Sequence, residues 1–178
     1  MLTLVIGAAA SGKSAWAEEH TLSLPGRRVY LATMEPFGSQ AAQRIQRHRL
    51  LRAGKGFETV ERYVDLAGLE LPEGCNVLLE CLGNLLANEL YWPDGGGAQA
   101  ALEGVQALRR RCRHLTVVSN EIASGGADYL GDTPAYMAQL GRLHRLLAQQ
   151  ADMVTEVVCG VGNILKKPAA YKNYVCGI

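Results

Sequence analysis

The chain has 178 residues, of which 48% are apolar, and a formal net charge of +1 at pH 7. This length suffices for one well-buried core and is short for two, so we expect a single domain over residues 1–178. The near-neutral charge gives no general attraction to nucleic acid or anionic lipid. No apolar run reaches 18 residues and no basic leader opens the sequence, which predicts a soluble, cytoplasmic protein without membrane insertion.

Apolar runs typical of buried strands alternate with helical stretches. The predicted strands are residues 2–6, 28–32, 76–79, 115–119 and 153–159, with 57–61 as a candidate edge strand. The predicted helices are residues 13–22, 39–51, 82–90, 98–113 and 134–150. Loops are expected at 92–97 and 123–133, and the tail after about residue 168 is expected to be loosely held. Apolar strands separated by helices predict an α/β fold with a mostly parallel central sheet flanked by helices.

A phosphate-binding loop directly follows the first predicted strand. Its sequence is Gly7-Ala8-Ala9-Ala10-Ser11-Gly12-Lys13-Ser14, with the spacing G-x-x-x-x-G-K-S. In such a loop the backbone amides surround phosphate oxygens, the lysine reaches the β- and γ-phosphates, and the hydroxyl binds Mg²⁺. A helix-forming stretch follows, as the motif requires. The sequence therefore predicts a protein that binds a nucleoside triphosphate with Mg²⁺.

Two carboxylates stand where predicted strands end. Glu80 closes the strand at 76–79, and Glu121 follows the strand at 115–119. Ligands of parallel sheets gather at the carboxyl ends of strands, so either acid could hold a metal-bound water or orient a nucleophile. The alternative for each is a helix cap or a surface ion pair.

A histidine lies among arginines in the segment 43–49. On a helix, Arg44, Arg47 and His48 share one face, and Arg49 follows directly. Neighbouring positive charge disfavours the imidazolium ion, which leaves the neutral nitrogen that a nucleophile needs, and the arginines could grip phosphate oxygens. The alternative is a solvated basic helix face with an incidental histidine.

The order of these motifs resembles that of one enzyme family, the bifunctional adenosylcobinamide kinase and adenosylcobinamide-phosphate guanylyltransferases. The resemblance runs from Leu2 to about Lys166. Besides the phosphate-binding loop, it rests on the segments Val29–Thr33, Arg44-Ile45-x-x-His48-Arg49, Thr59-Val60-Glu61, Val77–Leu82 with Asn88, Val118–Glu121, Gly141–Leu143, and Gly160-Val161 with Lys166.

The resemblance implies a RecA-like P-loop NTPase fold, a ring-like homotrimer and two reactions. In the first, ATP or GTP phosphorylates the hydroxyl of adenosylcobinamide. In the second, GTP gives GMP to adenosylcobinamide phosphate through a guanylylated histidine, which matches His48, and pyrophosphate is released. The catalytic residues implied are Lys13, His48, Glu80 and Glu121, with Ser14 and Glu80 at Mg²⁺. The nucleotide-binding set implied is residues 7–14, Thr33, Arg44, Arg47, Arg49 and Glu61.

Departures from the family pattern fall at residues 34–38, 53–57 and 123–138, where the corrinoid substrate is expected to contact the protein. They leave open which corrinoid is accepted and whether both activities are retained. Two alternatives remain at this point. One is a small-molecule kinase with a single activity, and the other is a nucleotide-binding regulatory or assembly protein that has lost catalysis.

Overall fold

The computed structural model describes residues 1–36, 43, 45–46, 49–50, 53–122 and 131–168. The strands in this part are β1 (Leu2–Gly7), β2 (Arg28–Ala32), β3 (Phe57–Glu61), β4 (Asn76–Glu80), β5 (His114–Asn120), β6 (Met153–Val158) and β7 (Val161–Lys166). The helices are α1 (Lys13–Leu22), α2 (Leu82–Tyr91), α3 (Gly97–Arg111) and α4 (Thr133–Gln150), with a 3₁₀ turn at Leu66–Gly68. Gln43, Ile45, Gln46, Arg49 and Leu50 also have helical backbone.

The seven strands form one sheet in the order β3-β2-β4-β5-β1-β6-β7. All neighbours pair in parallel except β6 and β7, which form an antiparallel hairpin. Strand β5 separates β1 from β4, so the loop after β1 and the acid at the end of β4 lie at the same edge of the sheet, one strand apart. The predicted α/β fold with a mostly parallel sheet is confirmed.

Both faces of the sheet are buried, because alternate residues of each central strand enter different cores. Leu4 and Leu79 belong to the larger core, which includes residues of α2, α3 and α4. Val5 and Leu78, their neighbours in sequence, belong to the smaller core, which includes Ala17 of α1. This two-sided burial explains why the strands read as continuous apolar runs.

The predicted strands and helices that can be compared agree with the structure to within two residues at each end. Strand β7 and the 3₁₀ turn were not predicted. Strand β7 contains glycine and asparagine and exposes Val161 and Leu165, so it lacks the apolar run that marked the buried strands. Most of the predicted helix 39–51, residues 123–130 of the predicted loop, and the tail from residue 169 lie outside the described residues. Within the described ranges, no helix combines the length and the apolar character needed to span a membrane.

Candidate active site

The phosphate-binding loop is closed by its own backbone and by the turn between β6 and β7. The Ser11 amide donates to the Ala8 carbonyl oxygen at 3.2 Å, and the Gly160 amide donates to the Ser11 carbonyl oxygen at 2.7 Å. Gly12 has φ 89°, and a Cβ atom there would lie 2.9 Å from the Gly160 Cα atom. Glycine is therefore required at position 12 for both conformation and space.

Lys13 begins α1 and is held inside the loop. Its side chain is buried, and its ammonium donates to the Ala8 carbonyl oxygen at 3.1 Å. Burial lowers the pKa of Lys13, while the nearby Glu80 and Cys81 act in the opposite direction. The ammonium is thus fixed close to the loop amides, where a phosphate chain would lie.

The two residues predicted to bind metal are in contact. The Ser14 hydroxyl in the first turn of α1 donates to the Glu80 carboxylate at the end of β4. Hydroxyl and carboxylate oxygens suit Mg²⁺, which commonly takes one or two protein ligands and completes its shell with water and phosphate oxygens. Among the described residues no cluster of three or more His, Cys, Asp or Glu side chains could hold a metal by itself. The Ser14 hydroxyl and the Glu80 carboxylate thus offer two oxygen ligands of the kind that suits Mg²⁺.

A cavity of about 520 Å³ opens over the loop. It brings together three predicted groups, namely loop residues 9–14, Glu80, and the pair Arg49 and Glu61. Sequence reasoning missed several further lining residues, which are Ala15, Tyr30, Ala32, Met34, Ile45, Cys81, Asn84 and Asn120. Two of them could have been found from their place in the sequence, because both lie where a predicted strand ends. Asn84 lies in the first turn of α2, four residues after Glu80, and Asn120 is the last residue of β5.

The Arg49 guanidinium forms an ion pair with the Glu61 carboxylate. The Tyr63 hydroxyl donates to the same carboxylate at 3.1 Å. Arg49 and Glu61 also line a second cavity of about 380 Å³ beside β3, so this ion pair lies between the two cavities. Ile45, four residues before Arg49, lines the larger cavity, while the predicted residues Arg44, Arg47 and His48 lie outside the described residues.

Thr33 has a different environment from the loop residues. It is buried, and its hydroxyl donates to the Cys81 carbonyl oxygen at 2.8 Å. Its own carbonyl oxygen accepts from the Asn88 side-chain amide at 2.9 Å. These bonds join the end of β2 to the end of β4 and to α2. Thr33 is not among the described residues that line the 520 Å³ cavity.

Glu121 follows β5, the strand next to the one that ends at Glu80. Its amide donates to the Gly7 carbonyl oxygen at 2.9 Å, which fixes it just beyond β5 and next to the start of the loop. Its carboxylate is near His144, where it partly offsets the lowering of the His144 pKa by burial. His144 Nε2 lies 2.7 Å from the Ser119 hydroxyl. Within the described part of the chain, Glu121 is not among the residues that line the 520 Å³ cavity.

A phosphate-binding loop after β1, with an acid at the end of β4 across an intervening strand, is the arrangement of a P-loop NTPase fold of the α/β class. Residues 3–165 match the model of the CobU family, described as cobinamide kinase / cobinamide phosphate guanyltransferase. The chain belongs to this family, whose members are kinase and guanylyltransferase enzymes.

Two bacterial relatives span nearly all of the chain. The bifunctional adenosylcobalamin biosynthesis protein CobU of Escherichia coli is 30% identical over 183 residues, which cover 93% of this chain and 100% of that protein. The bifunctional adenosylcobalamin biosynthesis protein CobP of Pseudomonas aeruginosa is 31% identical over 173 residues, which cover 93% of this chain and 98% of that protein.

Proposed function

We propose that this chain catalyses both reactions of its family. It phosphorylates adenosylcobinamide with ATP or GTP, then transfers GMP from GTP to adenosylcobinamide phosphate, giving adenosylcobinamide-GDP and pyrophosphate. The observation that carries the proposal is the 520 Å³ cavity, which the phosphate-binding loop and Glu80 line together with Ile45 and Arg49, two described residues that lie before and after His48 in the sequence.

In the kinase reaction the phosphate-binding loop holds the triphosphate. Lys13 neutralises charge on the β- and γ-phosphates, and the Ser14 hydroxyl and Glu80 carboxylate are the protein ligands for Mg²⁺. When bound, Mg²⁺ offsets negative charge on the phosphate oxygens. Phosphoryl transfer depends mainly on positioning and charge neutralisation, and the buried Lys13 ammonium beside the Ser14–Glu80 contact supports these roles.

In the guanylyltransferase reaction His48 is the nucleophile. Its neutral imidazole nitrogen attacks the α-phosphorus of GTP, a P–N bond forms, and the bond to the leaving pyrophosphate oxygen breaks. The imidazole proton on the other nitrogen is lost as the adduct forms. A phosphate oxygen of adenosylcobinamide phosphate then attacks the same phosphorus and breaks the P–N bond, and the released imidazole takes up a proton, which restores neutral His48.

The remaining predicted residues act around these two steps. Arg44, Arg47 and Arg49 bind phosphate oxygens, and Glu61 orients Arg49 through their ion pair. Glu121 assists phosphate placement from the end of β5. Thr33 acts indirectly, because its hydrogen bonds hold the end of β2 against the end of β4.

We further propose that the enzyme is cytoplasmic and forms a homotrimer. Exposed apolar side chains on and next to β7, those of Val158, Val161 and Leu165, support burial of this edge in an assembly.

The substitution His48→Asn tests the division of labour between the reactions. We expect it to abolish attachment of GMP to the protein and to leave phosphorylation of cobinamide within about twofold of the parent, because the kinase step needs no covalent histidine. The two rates are measured in separate experiments. Attachment of GMP is followed with GTP that is radiolabelled at the α-phosphate, and phosphorylation of cobinamide is followed with GTP that is radiolabelled at the γ-phosphate. Equal loss of both activities in a variant with an unchanged circular dichroism spectrum would contradict the proposed role of His48.

A further inference from the structure

A buried carboxylate on α1 is paired with a lysine from the segment that follows His48. The side chain of Glu18 is only 4% exposed, and its carboxylate accepts from the Lys55 ammonium at 2.5 Å. Glu18 lies five residues after Lys13, about 7.5 Å along the helix axis. The ion pair therefore joins the helix that begins in the phosphate-binding loop to the chain between His48 and β3.

The backbone on both sides of Lys55 has a conformation that favours glycine. Gly54 has φ 79° and Gly56 has φ 73°, and a Cβ atom at either position would meet no atom within 4 Å. These glycines are therefore explained by left-handed backbone conformation and not by a lack of space. The turn that they form directs the side chain of Lys55 toward α1.

The ion pair is poorly explained as a contribution to stability alone. Taking the Glu18 carboxylate out of water is costly, and the attraction to Lys55, whose side chain is 37% exposed, often only offsets such a cost. An apolar pair at these positions would serve packing equally well. What the charged pair adds is a specific partner for Lys55, and hence a defined position for the chain around it.

A second ion pair holds the same segment at its other end. Arg49, the residue after His48, pairs with Glu61 at the end of β3. Two residues on the carboxyl side of His48 are thus paired with different elements. Arg49 is paired with the edge strand β3, and Lys55 is paired with α1, the helix of the phosphate-binding loop.

We infer that Lys55 is a positioning residue for guanylyl transfer, and that its ion pair with Glu18 sets the position of the His48 segment relative to the bound triphosphate. This inference rests on the proposed role of His48. It deepens that proposal, because it assigns the alignment of nucleophile and phosphate to a contact outside the cavity. The rate of group transfer depends on the relative position of the reacting groups, and a displacement of about 1 Å can lower the rate on the order of 100-fold.

The test compares Lys55→Met with three further variants. Lys55→Arg keeps the charge, and Glu18→Gln/Lys55→Met removes both charges. Arg27→Gln, the matched control, removes an exposed ion pair between Arg27, which precedes β2, and Glu58 on the edge strand β3. For each variant the rate of GMP attachment at saturating GTP, the KM for GTP, the rate of cobinamide phosphorylation and the melting temperature are measured.

We expect Lys55→Met to slow GMP attachment at saturating GTP by about tenfold or more, with phosphorylation of cobinamide within about twofold of the parent. Lys55→Arg should restore most of the rate, and Arg27→Gln should leave both rates unchanged. Because the pair acts as a unit, the double variant should be no slower than Lys55→Met.

Three results would overturn the inference. They are a normal rate of GMP attachment in Lys55→Met, an equal loss of both activities that follows the melting temperature, and a similar effect in Arg27→Gln. Failure of the proposed function itself looks different, because the parent would then acquire no GMP, or His48→Asn would acquire it as well as the parent.

Discussion

At the scale of single residues, the site depends on a few polar contacts made by groups that are largely buried. Lys13 is fixed by the Ala8 carbonyl oxygen, and Ser14 is fixed by Glu80. Both residues belong to the first turn of α1, so one helix end supplies the ammonium and the hydroxyl. Their geometry is set before nucleotide binds, which reduces the ordering cost of binding.

Substituting Lys13 with alanine should weaken triphosphate binding. A hydrogen bond to a charged group contributes about 1.5–3 kcal/mol, which corresponds to a rise in Kd of roughly 10- to 150-fold. The fold should persist, since burial lowers the pKa of Lys13 and a buried ammonium is costly to keep. Isothermal titration of GTP with Mg²⁺ measures the affinity, and circular dichroism serves as the control. An unchanged Kd would remove Lys13 from the proposed mechanism.

At the scale of elements, β1, β5 and α1 share a buried polar cluster at the end of the sheet opposite the active site. Thr3 Oγ1 lies 3.0 Å from His114 Nε2 and 3.4 Å from His20 Nε2, and the two histidine rings meet edge to face at 5.4 Å. Burial, the neighbouring His20 and the N-terminal amino group lower the pKa of His114 to about 4, while Asp152 acts in the opposite direction. Burial lowers the pKa of His20 as well.

This cluster predicts a loss of stability in mild acid. The pKa of His114 is about 4 in the folded protein, against the ordinary histidine value of 6.5 that applies in the unfolded chain. Between these two values the unfolded chain therefore binds more protons than the folded one. The free energy of unfolding should fall as the pH drops from about 6.5 to about 4, by up to about 3 kcal/mol from His114. Urea unfolding across this range, compared with His114→Gln, measures the effect, and parallel pH profiles for the two proteins would contradict it.

The elements differ in how far sequence could predict them. The central strands were predictable because burial on both faces produces runs such as Val77-Leu78-Leu79. Strand β7 was missed, since an exposed edge strand needs no such run. Glu80 was found from its place at the end of β4, but its contact with Ser14 depends on the order of strands in the sheet, and spacing along the chain does not give that order.

At the scale of the whole molecule, the cavity is assembled from parts far apart in sequence. The phosphate-binding loop, Glu80 at the end of β4 and Arg49 after His48 meet over the carboxyl edge of the sheet. The motifs and their family resemblance predicted these residues, whereas Asn84, Asn120 and Gly160 were not predicted as site residues, and their places at the site are seen in the packing. The ion pair between Glu18 and Lys55 was also beyond sequence reasoning, since its members are far apart along the chain and neither belongs to a recognised motif.

The central claim, that one chain carries both chemistries and that His48 receives GMP, is tested most directly by mass spectrometry of the intact protein after incubation with GTP and Mg²⁺. One GMP per chain should appear, map to the peptide that contains His48, and be absent from His48→Asn. The adduct should be lost in mild acid and survive alkali, because protonation of the leaving nitrogen breaks a P–N bond readily. No adduct on the parent protein, or an acid-stable adduct that persists in His48→Asn, would contradict the claim.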